Sequence, residues 1–178
     1  SGRMKFEGQP YAPANPRAAM VAGMAFIHQE LNLFANLSVA ENLFLARFPV
    51  RKLAGIPWIQ QGEMRRETSR LLALLDLELD PGRLVSTLAP GERQLVEIAK
   101  ALNLQARLII LDEPTTSLAQ RESEKLFSLL EKLKTQGVAL IYISHNLGDV
   151  LRLCDQLLVL RDGAVVGGGP REECSLEK

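Results

Sequence analysis

The feature that most constrains the fold of this chain is an aliphatic run that ends in two adjacent acids. Residues 108–111 read Leu-Ile-Ile-Leu, and Asp112, Glu113, Pro114 and Thr115 follow directly. A continuous apolar run is typical of a buried strand in a parallel sheet, and such sheets bind ligands at the carboxyl ends of their strands. One carboxylate there can hold Mg²⁺ through water, and a second can orient or deprotonate a water that attacks a phosphate. A strand that simply ends in a polar turn commonly carries one acid, so the pair favours phosphate chemistry.

The segments around this run alternate between strand and helix patterns, which predicts an α/β fold with a parallel sheet. Apolar runs predict further strands at 24–27, 138–143 and 156–160, the last turned by Asp162-Gly163. Amphipathic helices are predicted between them, one over 147–153 and one whose buried face carries Leu126, Leu129, Leu130 and Leu133.

Residues 38–104 have a helical pattern, which Pro49, Pro57 and Gly62 interrupt and in which Asp80-Pro81-Gly82 predicts a turn. Ser38 followed by Glu41 matches a capping box, and a helix is predicted over 93–102. We interpret Glu97 and Lys100 on that helix as solvated charges. A second helical face is predicted from Met64, Thr68, Leu71, Leu72 and Leu75.

Composition excludes several classes of protein. The 47% hydrophobic and 24% charged residues describe a globular chain of one domain, or at most two small ones, rather than a disordered one. The 21 basic and 21 acidic residues cancel, so overall charge gives no case for nucleic acid or anionic lipid. Cys154 and Cys174 have no metal-ligand spacing, which favours a reducing cytosolic setting.

Several separate segments, in their order along the chain, resemble the nucleotide-binding domain of an ABC transporter. Asp112 and Glu113 resemble its Walker B pair, Gln29 its Q-loop glutamine, and His145 its switch histidine. The signature loop corresponds to Leu88, Ala89, Pro90, Gly91 and Glu92, and the D-loop to Thr116, Ser117 and Leu118.

The resemblance implies a partial P-loop NTPase fold, with a parallel sheet, helices and a helical subdomain. It divides the chain into a β-subdomain remnant with the Q-loop strand (1–37), the helical subdomain with the signature loop (38–104) and the Walker B, D-loop and switch part of the core (105–178). It also implies ATP and Mg²⁺ as cofactors, with Glu113 as general base, His145 at the transition state, and Asp112 and Gln29 at the metal.

Four segments narrow the resemblance to the first cassette of bacterial monosaccharide importer ATPases: 28–33, 96–102, 143–147 and 160–163. That subfamily implies a membrane permease as partner, a second cassette or a homodimer, and indirectly a periplasmic sugar-binding protein, with no nucleic acid. It also implies a cytoplasmic location, peripheral on the inner face of the membrane. The sequence does not choose among sugars.

Two departures from the family pattern limit what we expect of this chain alone. It contains no GxxxxGK[ST], the Walker A sequence whose backbone N–H groups and lysine hold phosphates. In the signature loop Ala89 replaces the usual serine, and Pro90 follows it. We therefore expect an amino-terminally truncated cassette with weak or absent ATP binding and no activity alone, whereas its parent would be an ATPase. A natural non-catalytic interaction module and an ABC-type protein unconnected with transport remain alternatives.

A cassette without its Walker A strand would also leave part of its sheet uncovered. We therefore expect exposed apolar surface along the sheet, and either dimerisation over that surface or rearrangement of the amino-terminal strands.

Overall fold

The computed structural model describes residues 3–53 and 56–173 of the chain, so Cys174 lies outside the described residues. Two short 3₁₀ turns, at Val85–Thr87 and Arg171–Glu173, accompany the regular elements. The helices are α1 (Pro16–Val21), α2 (Val39–Phe44), α3 (Gln61–Leu74), α4 (Pro90–Asn103), α5 (Gln120–Thr135) and α6 (Leu147–Leu153). The strands are β1 (Met4–Phe6), β2 (Gln9–Tyr11), β3 (Met24–Ile27), β4 (Val50–Leu53), β5 (Ile56–Ile59), β6 (Leu108–Asp112), β7 (Ala139–Ile143), β8 (Gln156–Arg161) and β9 (Ala164–Pro170).

A three-stranded parallel sheet in the order β3–β6–β7 lies at the centre of the fold. Ile27 pairs with Leu111, and Asp112 pairs with Ile143, so all three strands end at the same edge. Ile109 and Leu111 on the middle strand are fully buried. The predicted α/β class, its parallel sheet and the strand that carries the two acids are confirmed.

Helices α4 and α5 supply most of the core that covers this sheet. The predicted face of α5 is confirmed, because its four leucines are buried. Full burial of each such side chain stabilises the fold by about 1.5–3 kcal/mol. On α4 the buried apolar residues are Leu95, Val96, Ile98, Ala99 and Ala101. This core therefore fixes the positions of β3, β6 and β7, the strands that lead to the polar residues at the sheet edge.

Helix α2 begins with the predicted capping box, and its buried Asn42 organises the loop that precedes it. Ser38 Oγ accepts from the Glu41 N–H at 3.2 Å, and Glu41 Oε2 accepts from the Ser38 N–H at 2.8 Å. Asn42 accepts from the Phe34 N–H at 2.8 Å and donates to the Phe34 and Ser38 carbonyls, both at 3.0 Å. These bonds fix the chain between β3 and α2.

Two features of the fold differ from the sequence-based interpretation. In the stretch 38–104, the predicted interruption between Pro49 and Gly62 is an antiparallel hairpin of β4 and β5, which the helical pattern did not predict. The strand predicted at 156–160 exists, but it pairs antiparallel with β9 and does not join the parallel sheet. The cause is the turn at Asp162 (φ 51°) and Gly163 (φ 77°), whose left-handed backbone closes a tight hairpin.

An apolar groove of about 1070 Å³ runs beside β7, between that strand, α6 and β8. Ile141 and Ile143 of β7 are 46% and 45% exposed along it. Exposed apolar surface at the sheet was expected from the sequence. Dimerisation over it stays a prediction.

Across residues 3–53 and 56–173, none of the helices combines the length and the apolar character that crossing a bilayer requires.

Candidate active site

The carboxyl ends of the three parallel strands bring the predicted site residues to one edge of the sheet. Gln29 lies two residues beyond β3, Asp112 ends β6, and His145 lies two residues beyond β7. The Glu113 N–H donates to the Ile143 carbonyl at 2.8 Å, which ties the turn after β6 to the end of β7. Glu113 adopts a left-handed φ of 47°, an uncommon backbone conformation for a residue with a side chain. The backbone at Glu113 is therefore held in a fixed conformation at the edge of the sheet.

The side chains of Glu113 and His145 are in direct contact. His145 Nδ1 lies 2.9 Å from Glu113 Oε1, and the Thr116 hydroxyl donates to Glu113 Oε2 at 3.2 Å. The pKa of Glu113 is held below its ordinary value, chiefly by the hydrogen bond from His145. Desolvation opposes this lowering, and the hydrogen bond from Thr116 adds to it. An ionised carboxylate beside an imidazole can orient a water and exchange a proton with it.

Asp149 on α6 fixes the turn that carries Glu113. Its Oδ2 accepts from Thr115 Oγ1 at 2.8 Å and from the Tyr142 hydroxyl at 3.4 Å. Burial raises the pKa of Tyr142 to about 12, so this hydroxyl stays protonated and donates. Asn146 caps α6 by accepting from the Gly148 N–H at 3.0 Å. Thr115, two residues after Glu113, and Asn146, directly after His145, are thus both bound to α6.

Gln29 is exposed. Asn32, three residues later, is bound to α4, the helix that begins in the predicted signature loop. The Lys100 ammonium donates to the Asn32 carbonyl at 2.6 Å and to Glu97 Oε1 at 3.3 Å. Glu97 is only 6% exposed, and desolvation raises its pKa. The interpretation of Glu97 and Lys100 as solvated charges was therefore wrong, because Glu97 is buried and Lys100 is bound both to Glu97 and to the Asn32 carbonyl.

The oxygen atoms at this edge suit a magnesium ion that also binds phosphate. Asp112 contributes a carboxylate and Gln29 an amide oxygen, and Mg²⁺ prefers oxygen ligands. Within the described residues no three His, Cys, Asp or Glu side chains group into an all-protein metal site. Mg²⁺ commonly binds through one or two carboxylates and completes its octahedral shell with water and substrate phosphate. The residues present therefore fit this ion.

The predicted signature loop forms the start of α4. Leu88 is buried, Ala89 precedes the helix without any side-chain cap, and Pro90 is its first residue. Glu92 supplies the reciprocal half of a capping box, because its Oε2 accepts from the Ala89 N–H at 2.8 Å, and its Oε1 binds Arg83 at 2.9 Å. The N–H of Ala89 is thus bound by a side chain three residues later, although Ala89 itself offers no cap.

Glu122 connects the signature loop to the start of α5, and the sequence analysis did not identify it. Its Oε1 accepts from the Gly91 N–H at 3.2 Å, and its Oε2 accepts from the Ala119 N–H at 2.9 Å. A Cβ at Gly91 would lie 2.6 Å from Glu122 Oε1, so the glycine permits this close approach. An acid three residues after a helix start is a capping signal that could have indicated half of this role.

The predicted D-loop lies between the acid pair and α5. Thr116 and Ser117 are exposed, whereas Leu118 is half-buried against the core. The D-loop is therefore attached to Glu113 at one end, through Thr116, and to the signature loop at the other, through Glu122. Through Glu122, the signature loop is thus hydrogen-bonded to the start of α5, directly after the D-loop.

Known proteins are similar to this chain in both sequence and fold. The ABC transporter family matches residues 1–116. The arabinose import ATP-binding protein AraG of Rhizobium meliloti is 45% identical over 96% of this chain and 33% of that protein. A putative ribose/galactose/methyl galactoside import ATP-binding protein of Pseudomonas fluorescens is 43% identical over 94% of this chain and 32% of that protein. The chain thus spans about a third of the length of these curated relatives.

A solved nucleotide-free ATP-binding cassette from an ABC transporter superposes with a TM-score of 0.80 at 26% identity, over 96% of this chain and 70% of that one. An ATP-binding cassette solved in its ADP conformation gives a TM-score of 0.80 at 27% identity, over 97% of this chain and 71% of that one. The parallel sheet, the acid pair at its edge and these matches lead to one conclusion: the chain belongs to the ABC transporter family.

Proposed function

We propose that this chain acts within the ATP-hydrolysing subunit of a bacterial monosaccharide importer. The observation that carries the proposal is the contact of 2.9 Å between Glu113 and His145 beside Asp112, at the common edge of three parallel strands. Relatives named as sugar import ATP-binding proteins support the importer class. The sugar is a monosaccharide whose identity the chain does not specify.

Within this proposal, each residue at the sheet edge has one task. Glu113 orients the attacking water and takes its proton, a role typically worth about 10²–10⁴ in rate. His145 donates to the charge that develops on the terminal phosphate. Asp112 and Gln29 hold Mg²⁺, which offsets phosphate charge when it is bound.

We propose that coupling to transport uses the three-part division of the chain. The part 38–104 docks on the membrane permease, 1–37 delivers Gln29 to the nucleotide, and 105–178 performs the chemistry. The signature residues Leu88–Glu92 and the D-loop residues Thr116–Leu118 face a second cassette, supplied by the same subunit or by a homodimer. In this arrangement the subunit lies on the inner face of the membrane, and a periplasmic sugar-binding protein engages the permease from the other side.

We also propose that these 178 residues on their own bind ATP weakly and do not hydrolyse it. They contain no GxxxxGK[ST] sequence, and that sequence supplies most of the donors that hold the β- and γ-phosphates. The acid pair and His145 then act on a phosphate that other residues must hold.

Backbone amide NMR of the chain during titration with Mg-ATP tests this assignment, because it detects millimolar binding. The expected shift changes cluster at Gln29, Asp112, Glu113 and His145, with a dissociation constant in the millimolar range. Glu113→Gln should keep the shifts at Gln29, and the matched change Glu172→Gln, at an exposed acid, should alter nothing.

Two results would contradict the proposal. Shifts located away from the sheet edge would refute the site. A micromolar dissociation constant would mean that another surface of the chain replaces the Walker A segment.

A further inference from the structure

The hairpin of β4 and β5 exposes an unusual number of large apolar side chains. Val50, Ile56, Trp58 and Ile59 are 57%, 60%, 60% and 49% exposed. Every residue of β5 is exposed. Single exposed apolar residues are normal on a protein surface, but a group of this kind indicates an interaction site.

Cations accompany the apolar side chains on both faces of the hairpin. Arg51 pairs with Trp58, and Lys52 pairs with Pro57, next to the pair of Val50 and Ile59. Cross-strand partners share a face, and successive pairs alternate between faces. One face therefore carries Arg51 and Trp58, and the other carries Lys52, Val50 and Ile59.

The balance of charge over the whole chain conceals a local excess of positive charge here. Residues 42–62 contain three basic residues, Arg47, Arg51 and Lys52, and no Asp or Glu. All three are exposed. None of them forms an ion pair with another residue in the described parts of the chain.

We propose that this hairpin docks on the surface of an anionic lipid bilayer. Ile56 and Trp58 enter the boundary between headgroups and acyl chains, where the amphipathic indole is favoured. Arg51 and Lys52 bury their aliphatic stems there and bind lipid phosphates with their charged ends. This activity goes beyond nucleotide hydrolysis and concerns the hairpin alone, whereas the rest of 38–104 docks on the permease in the function proposed above.

The two-faced character of the hairpin favours lipid over a protein partner. A flat protein surface would cover one face of the hairpin and leave the apolar residues of the other face in water. A bilayer interface surrounds an inserted hairpin and accepts apolar groups and cations from both faces. The uniform positive sign matches the negative potential of anionic leaflets.

The single tryptophan of the chain makes the proposal directly measurable, because Trp58 lies at the centre of the site. Vesicles of equal parts phosphatidylglycerol and phosphatidylcholine should shift the emission of Trp58 to shorter wavelength, and brominated lipid should quench it. Vesicles of phosphatidylcholine alone should leave the emission unchanged, and added salt should weaken the effect. No nucleotide is needed, so the outcome is independent of the ATP titration.

Charge variants separate specific docking from general attraction. Each basic residue near an anionic surface strengthens binding about fivefold, so Arg51→Gln with Lys52→Gln should weaken vesicle partition about 25-fold. Arg121→Gln with Lys125→Gln removes the same charge from exposed positions on α5 and should leave partition nearly unchanged.

Three outcomes would overturn the proposal: no emission shift with anionic vesicles, equal losses in the two double variants, or a shift that appears only when a membrane protein partner is added. Thermal melting of both double variants, without lipid, checks that each remains folded.

Discussion

The side chains of Glu113 and His145 meet at 2.9 Å between Oε1 and Nδ1, although 32 residues separate them along the chain. The contact exists because the neighbouring strands β6 and β7 end in register, with Asp112 opposite Ile143. A carboxylate and an imidazole brought together by two parallel strands form a unit whose ionisation can be measured.

Replacing His145 by alanine should raise the pKa of Glu113 toward its ordinary value of about 4.3. The hydrogen bond from His145 is the largest of the effects that hold this pKa down. Carboxyl carbon NMR of glutamate-labelled protein measures the pKa directly. His28 is the other of the two histidines in the chain, so His28→Ala is the matched control and should leave the pKa of Glu113 unchanged. An unmoved pKa in His145→Ala would contradict the contact.

The same pair gives the native state a defined pH dependence. Because the folded-state pKa of Glu113 is lowered, its contribution to stability is complete above the unfolded-state pKa and is lost as pH falls through the folded-state value. Urea unfolding of the wild-type chain should therefore show a loss of stability below about pH 4.3 that is smaller in His145→Ala. Identical pH profiles for the two proteins would refute this coupling.

Asp149→Ala should loosen the contact between Glu113 and His145 without changing either residue. The carboxylate of Asp149 accepts from Thr115 and Tyr142, and losing it leaves two donors without that acceptor. The expected cost in the free energy of unfolding is about 1–3 kcal/mol. The pKa of Glu113 should also rise, which a purely structural defect elsewhere would not cause. Asp155→Ala is the control, since its carboxylate is 73% exposed in a surface ion pair worth at most about 1 kcal/mol.

Glu122→Ala should destabilise the chain by about 1–2 kcal/mol, because one side chain caps two helices and each cap is worth about 1 kcal/mol. Its oxygens accept from the Gly91 and Ala119 N–H groups at the starts of α4 and α5. Denaturant unfolding measures the loss, with Glu131→Ala, an exposed position on α5, as the control. Amide exchange should accelerate at Gly91 and Ala119 together. Faster exchange at only one of them would show that the two loops are not joined through Glu122.

The acid pair, the strands that carry it and the leucine face of α5 could be predicted from the sequence because each depends on local periodicity. The bond of Glu122 to Gly91 and the bond of Asp149 to Thr115 could not be predicted, since these partners lie 31 and 34 residues away. In the sequence, Glu97 resembles a surface charge on a helix, and its burial beside Lys100 arises only in the folded structure. The net charge of the whole chain could not predict the basic surface either, because a balanced total does not show that the basic residues of 42–62 lie together without acids.

The apolar edge of β7 should make the chain self-associate and bind hydrophobic dyes. Ile141 and Ile143 are nearly half exposed beside a groove of about 1070 Å³. Exposed strand edges with apolar side chains pair readily with another chain. Analytical ultracentrifugation over a concentration series should therefore show a dimer in equilibrium with the monomer.

A charge on this edge should oppose association at little cost to the fold. Ile141→Asp should shift the equilibrium to monomer and reduce dye fluorescence, because an exposed strand position tolerates a carboxylate whereas a covered one does not. Val165→Asp places the same charge on β9 at a position that is 62% exposed, and it should leave the equilibrium in place. A monodisperse wild-type monomer with no dye binding would show that the edge of β7 is not a site of association.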